Sequence, residues 1–201
     1  MTARVPDPKR PPEPTGDFTE PTVSSRLAYD GGFLRLRRDE VRLPDGAVAW
    51  REYVEHPGAV MMLAFLDEDT VLLERQYRYP RRGHFLELPA GKMERGEPPL
   101  ETAKRELVEE CGYEAAEWWH VATLHPSIGY SDEVIELYGA RGLTHVGARL
   151  DPGEHLEVFP ARVDDVIAWI GEGLVTDTKT TFALLWWARF GRATPAGART
   201  P

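Results

Sequence analysis

The rhythm of apolar and polar residues changes twice along this chain of 201 residues. From Val23 to about Glu55, apolar positions come in short strand-like runs, "VSSRLAY", "FLRLRRDEVRL" and "VAWREYVE". A "PDG" turn at Pro44–Gly46 separates the last two, as in a hairpin. So small a block has no room for a core of its own and is expected to pack on something else. From Ala59 the pattern is mixed: "AVMMLAFL" is a buried-strand candidate, followed by a "DED" turn and then "VLLERQYR". "HFLELP", "WWHVATLH", "VIELYGA" and "HLEVFPA" read as further strands. Two helices close the chain: "VDDVIAWIGEG", stopped by Gly171 and Gly173, and "DTKTTFALLWWARF", where Phe182, Leu185, Trp186 and Arg189 share a face. The fold class is α+β, with one acidic helix in the middle.

The ends differ from this. Residues 1–22 are rich in Pro and charge, with few large apolar side chains, and residues 191–201 read the same way; both predict disordered arms. Between them lie an N-terminal β-block, 23–57, and a main domain, 58–190. No run approaches the unbroken apolar length that spans a bilayer, and the N-terminus lacks the apolar stretch of a secretory signal. The single cysteine, Cys111, excludes an intrachain disulfide and a multi-cysteine zinc site. A cytoplasmic protein with no membrane association is the expectation. The formal net charge of −9 gives no general attraction for nucleic acid. An anionic substrate therefore needs local positive charge, from metal ions or clustered arginines.

The acidic helix carries the chemistry. Gly91 to Tyr113, "GKMERGEPPLETAKRELVEECGY", holds six glutamates. Pro98 and Pro99 suit a helix start and Gly112 a left-handed stop, with Leu100, Ala103, Leu107 and Cys111 as the apolar stripe. Glu106, Glu109 and Glu110 lie on another arc beside Arg105. Like charges at this spacing cost a surface helix roughly 0.2–0.5 kcal/mol per pair, and the C-terminal dipole disfavours them further. A solvated acidic face usually alternates its signs. Grouped hard oxygens instead suit Mg²⁺ or Mn²⁺, which reverse both penalties.

The spacing Gly-x5-Glu-x7-Arg-Glu-U-x-Glu-Glu-x-Gly-U, with U bulky and apolar, runs from Gly91 through Glu97, Arg105-Glu106, Leu107, Glu109-Glu110 and Gly112 to Tyr113. Seven fixed identities match by chance at about 10⁻⁸ per starting position at ordinary residue frequencies. The segment resembles the signature of the Nudix hydrolases. That resemblance implies an α/β/α sandwich with a mixed sheet and a loop–helix–loop holding two or three divalent ions against a diphosphate. Glu106, Glu109, Glu110 and the backbone carbonyl of Ala90 would be the ligands, Arg105 would orient the glutamates, and Glu97 would hold the motif's own loop.

Flanking segments resemble one branch, the ADP-ribose pyrophosphatases: "REYVEHPGAV" leading into "VLLERQYRYP", "ELPAGKME", and "HPSIGYSDEVIELY" followed by "GLVTDTKTTFAL". The branch implies hydrolysis of ADP-ribose to AMP and ribose 5-phosphate. It also implies a homodimer whose N-terminal strands swap and help build the partner's adenosine pocket; Tyr29 or Phe33 would stack on adenine there or belong to the dimer core. Arg51 and Arg78 would contact substrate, Arg81 and Arg82 being read as solvated, with Ser131, Asp132 and Glu133 near the terminal ribose. Glu154, on the loop "RLDPGEHLEVF", would be the general base, with Glu157 on the adjoining strand facing solvent. The other histidines, His56, His84, His120, His125 and His145, show no ligand spacing. Ile128 stands where the branch commonly has proline, which keeps another substrate open, an ADP- or GDP-linked hexose. A non-catalytic nucleotide-sugar sensor is a third reading, set against by the complete set of signature glutamates.

Overall fold

In the computed structural model, the chain is described at residues 11, 14–32, 34–150 and 152–191. Phe33, most of the predicted arm before residue 14 and the tail beyond Gly191 lie outside these residues. The chain divides into two compact units, residues 1–55 and 56–201.

In the first unit, β1 (Thr22–Asp30), β2 (Arg35–Arg42) and β3 (Val48–Glu55) pair antiparallel in the order β1-β2-β3. The "PDG" turn closes the β2–β3 hairpin: Leu43 donates to the Ala47 carbonyl at 2.8 Å and Gly46, at φ +87, donates to Leu43 at 2.9 Å. Arginines on β2 meet β3, with Arg35 on Glu55 at 3.2 Å and Arg38 stacked 4.5 Å over Trp50.

The second unit contains β4 (Ala59–Ala64), β5 (Thr70–Arg78), β6 (Gly83–Glu87), β7 (Ala90–Lys92), α1 (Pro99–Glu106), β8 (Tyr113–Leu124), β9 (Ile135–His145), β10 (Leu156–Arg162), α2 (Val163–Gly171) and α3 (Thr178–Phe190). One sheet, β7-β4-β9-β8, is mixed, because β4 and β9 run parallel. The other, β10-β5-β6, is antiparallel, and a bridge between Phe65 and Val71 joins the two. Every residue of β4 is buried, as its continuous apolar run requires of a strand covered on both faces. Val60, Met62 and Ala64 pack with Leu72, Ala103, Leu107 and Cys111 on the α1 side. Met61, Leu63 and Phe65 pack with Leu73, Val166, Leu184 and Trp187 on the α2–α3 side. The result is the α/β/α sandwich with a mixed sheet.

Three local features differ from the sequence pattern. The acidic helix is not one regular helix: α1 stops at Glu106 and a π-helical turn, Leu107–Cys111, carries the chain to Gly112. β7 exists only through its antiparallel pairing with β4, Met61 opposite Ala90 and Ala59 opposite Lys92. On α3 the face shared by Phe182 and Leu185 points outward, while Thr180, Ala183, Leu184 and Trp187 are buried. Among the described residues no helix is long and apolar enough to cross a membrane.

Gly112 ends the π-turn at φ +75, and its carbonyl accepts Val146 at 2.8 Å. A methyl there would stand 2.5 Å from the Ala148 backbone nitrogen, an atom that cannot move aside alone. Gly112→Ala is expected to cost at least about 1–2 kcal/mol, the left-handed penalty before any overlap. Urea denaturation checks this; a loss below half a kcal/mol, on the order of an ordinary surface change, contradicts it.

Candidate active site

α1 begins at Pro98–Pro99, where missing amide protons cost nothing. Nearly two turns later Arg105 commits every donor of its guanidinium. Nε and Nη2 each bond a Glu97 oxygen at 3.0 Å, and Nη2 also reaches the Lys92 carbonyl at 3.3 Å. Nη1 bonds Glu106 at 2.9 Å and Glu109 at 2.8 Å. The bond from Arg105 holds the Glu97 carboxyl at about 2, and Glu97 in turn accepts the Glu94 amide at 3.3 Å. One cation thus ties the loop before the helix to the glutamates on it. Gly91 on β7 lies beneath Glu106: any Cβ there would overlap the Glu106 carboxylate, which accounts for glycine at that position.

Glu110 turns inward. It is 5% exposed, accepts the Ala90 amide at 3.2 Å, and meets Glu74 of β5, itself 3% exposed. Burial, then the charges of Glu74, Glu106 and Glu154, push Glu110 up to about 10. Burial also lifts Glu74 to about 7, against the hydrogen bonds it accepts from Cys111 and Glu110. The Cys111 thiol donates to Glu74 at 3.4 Å and is itself raised by burial and by both carboxylates. Glu106 is raised as well, by burial first, despite Arg105 beside it. Two unit charges 4 Å apart repel by about 4 kcal/mol at an effective dielectric near 20, roughly tenfold the surface-helix penalty. Burial and like charge therefore both favour the protonated form in the Glu74–Glu110 pair.

Cations stand on the neighbouring elements. Glu87, opposite Glu74 across β5–β6, receives both Arg78 Nε at 2.7 Å and Arg78 Nη2 at 2.9 Å. Lys179 of α3 bonds Glu87 and also Asp177 at 2.9 Å. Burial alone would raise Glu87, but Arg78 and Lys179 more than offset it and its carboxyl lies below the usual range. Asp177 caps α3 by accepting the Thr180 amide at 3.0 Å, and the Thr180 hydroxyl accepts the Leu88 amide at 2.9 Å. The start of α3 is thereby fastened to the segment leading into β7.

The structure brings Arg105, Glu106, Glu109, Glu110 and Ala90 together, with Glu154 near enough for its charge to act on Glu74, Glu106 and Glu110. Arg78 is bound to Glu87 at the edge of this group. Ser131, Asp132 and Glu133 lie in the loop before β9, where Asp132 accepts the His56 amide at 2.7 Å and Ser131 accepts the Glu133 amide at 3.1 Å. Arg51 belongs to the N-terminal unit and pairs with Glu20 at 2.6 Å. Glu157 is exposed to solvent beside Arg75, 2.8 Å away. Glu74, Glu87 and Lys179 were not among the sequence candidates. A charge at the inward position of the apolar run "VLLERQYR", in step with Leu72, was the available signal for Glu74.

As they stand, among the described residues no three His, Cys, Asp or Glu side chains converge to enclose an ion; Arg105 occupies Glu106 and Glu109. The donor set nonetheless fits a hard divalent cation. It offers carboxylate oxygens beside a strand carbonyl, and like charges that such an ion would relieve.

Residues 55–172 match the NUDIX domain. The chain belongs to the Nudix family. Residues 20–54 match the nucleoside diphosphate sugar hydrolase N-terminal domain. Among similar proteins, the methanol dehydrogenase activator of Bacillus methanolicus is 38% identical, over 83% of this chain and 91% of its own. The ADP-ribose pyrophosphatase of Bacillus subtilis is 35% identical, over 82% and 90%. That of Mycobacterium tuberculosis is 43% identical over 63% of this chain and 61% of its own. A solved ADP compounds hydrolase shares the fold with a TM-score of 0.76 at 19% identity, covering 89% of this chain and all of its own.

A carboxyl raised above its unfolded value of 4.5 removes stability at every pH above that value. Glu110→Gln keeps an acceptor for the Ala90 amide and lacks the charge. In the absence of divalent ions it is expected to melt at least about 2–4 °C above the parent at pH 8, the shift of 1 kcal/mol in a domain of this size. The difference should shrink towards zero as pH falls to 4.5. A variant that melts lower at pH 8 contradicts the crowding of like charges.

Proposed function

We propose that the chain hydrolyses the diphosphate of ADP-ribose to AMP and ribose 5-phosphate. The observation that carries this reading is the group of mutually repelling carboxylates, Glu74, Glu106 and Glu110, packed beside the Ala90–Lys92 strand. Its support from relatives is that those of B. subtilis and M. tuberculosis are named ADP-ribose pyrophosphatases.

Glu106, Glu109, Glu110 and the Ala90 carbonyl would hold two or three divalent ions, Mg²⁺ or Mn²⁺. Such ions neutralise phosphate oxygens and lower the pKa of a bound water. Arg105 releases Glu106 and Glu109 for that task while keeping Glu97, so the loop stays closed as the carboxylates turn. Glu154, on the loop after β9, accepts the proton of the attacking water. Its place within charge range of Glu74, Glu106 and Glu110 supports that role. Arg78, held by Glu87 and seconded by Lys179, supplies counter-charge to the diphosphate. Ser131, Asp132 and Glu133 bond the hydroxyls of the terminal sugar. Arg51 acts on substrate from the N-terminal sheet, which swaps across a homodimer with Tyr29 against adenine. A cytoplasmic location belongs to the same reading.

One observation favours a second reading, an ADP- or GDP-linked hexose. Ile128 is 84% exposed and lacks the ring that would stiffen the loop near the sugar.

Purified protein with Mg²⁺ is incubated with ADP-ribose, ADP-glucose, GDP-mannose, NADH and ATP, and products are resolved by chromatography. ADP-ribose is expected to lead in kcat/KM by tenfold or more, about 1.4 kcal/mol of transition-state preference. Chelation abolishes turnover, and Glu106→Gln and Glu110→Gln each lose more than the roughly 10–100-fold typical of supporting residues. A leading hexose substrate replaces the first reading with the second. Full activity in both variants contradicts the ligand assignment.

A further inference from the structure

We propose that His56 is a positioning residue for the sugar end of the substrate, a joint that holds the Ser131–Glu133 loop against the metal-binding segment. The proposal rests on the reading of that loop as the sugar site. His56 opens the second unit, directly before β4. Three contacts converge on it. Its backbone amide donates to Asp132 Oδ1 at 2.7 Å, a charge-assisted bond at the short end of the range. Its Nδ1 accepts the Gly58 amide at 3.1 Å. Its Nε2 lies 3.7 Å from Glu133 Oε1, within ion-pair range though beyond hydrogen-bond length. The ring is 14% exposed, so it is clamped between these groups and little hydrated.

The bond to Gly58 fixes the orientation. With Nδ1 an acceptor, the proton of the neutral imidazole sits on Nε2, turned towards Glu133. Ring and amide of one residue thus address two neighbouring acidic side chains of the loop. On the other side Gly58, at φ +93, passes the contact to the catalytic segment. Its carbonyl accepts the Met93 amide at 3.1 Å, and the Met93 side chain fills the space where a Cβ of residue 58 would stand. Met93 follows Gly91 and Lys92 of β7, whose carbonyl at Lys92 is held by Arg105. The path from the sugar loop to the signature therefore runs Asp132 and Glu133, His56, Gly58, Met93, Lys92, Arg105. Asp132 and Glu133 carry negative charge and lie in a connection, not a strand. Without a fixed partner they would sample many rotamers, and a sugar would have to order them on binding. His56 removes that cost in advance.

The test compares His56→Ala with His56→Asn, whose Oδ1 occupies the place of Nδ1 and can accept the Gly58 amide. Steady-state kinetics use whichever nucleoside diphosphate sugar the parent turns over fastest, and hydrogen exchange follows residues 127–134. His56→Ala is expected to raise KM about tenfold with kcat within about threefold, the pattern of lost uniform binding, and to speed exchange in the loop. His56→Asn should recover most of the KM and the protection. An unchanged KM, or a loss confined to kcat, overturns the proposal, as does faster exchange with no kinetic effect. Should the alanine variant not fold, an asparagine variant with parental KM supports the role, and one with a tenfold higher KM despite parental loop protection overturns it. A parent that cleaves no nucleoside diphosphate sugar would sink the underlying reading instead, while exchange would still report whether His56 holds the loop.

Discussion

Arg105 is the fixed point of this molecule. All its donors are engaged, on Glu97, Glu106, Glu109 and the Lys92 carbonyl, and together they close a loop, a strand end and a helix around one charge. Its guanidinium bonds Glu106 and Glu109, two of the three glutamates at helical spacing. Glu110 is left outside its reach, and the consequence is visible: this carboxyl is driven towards its protonated form against Glu74. The segment is thus divided into carboxylates bonded to a cation, Glu97, Glu106 and Glu109, and a buried carboxyl pressed against Glu74. A divalent ion is the species that satisfies both groups at once.

The rest of the fold brings rigid parts to that point. β4, buried throughout, supplies the edge on which β7 forms, so the Ala90 amide is placed by a core strand and not by a flexible loop. The π-turn points Glu110 inward beside Cys111 and leaves Glu109 with Arg105. From the opposite layer, α3 reaches the same region through Lys179, Asp177 and Thr180. Both helical layers therefore end on one stretch, Glu87 to Lys92, which explains how a site built on a three-residue strand is held in place.

The signature was readable because its chemistry fixes residue identity at fixed spacing, and the strands because their apolar runs were unbroken. Glu74 and Glu87 escaped notice because their importance comes from strand register, which sets them opposite one another across β5 and β6. Sequence distance carries no trace of that pairing. The π-turn was invisible for another reason: five residues are too few to separate its period from that of an α-helix. On α3, apolar residues surround the axis, so periodicity could not choose between the Phe182–Leu185 face and the buried Ala183–Trp187 face. His56 had no ligand spacing, and its partners, Asp132 and Glu133, lie far along the chain.

Burial and like charge raise Glu74 and Glu110, so a divalent ion bound beside them is expected to expel a proton. Calorimetric titration of Mn²⁺ into the protein at pH 7, repeated in buffers of different ionisation enthalpy, reads that proton directly. The slope of the observed heat against buffer enthalpy should correspond to the release of about one proton per protein, and it should vanish in Glu110→Gln. Binding with no proton released by the parent protein would contradict the account at its centre.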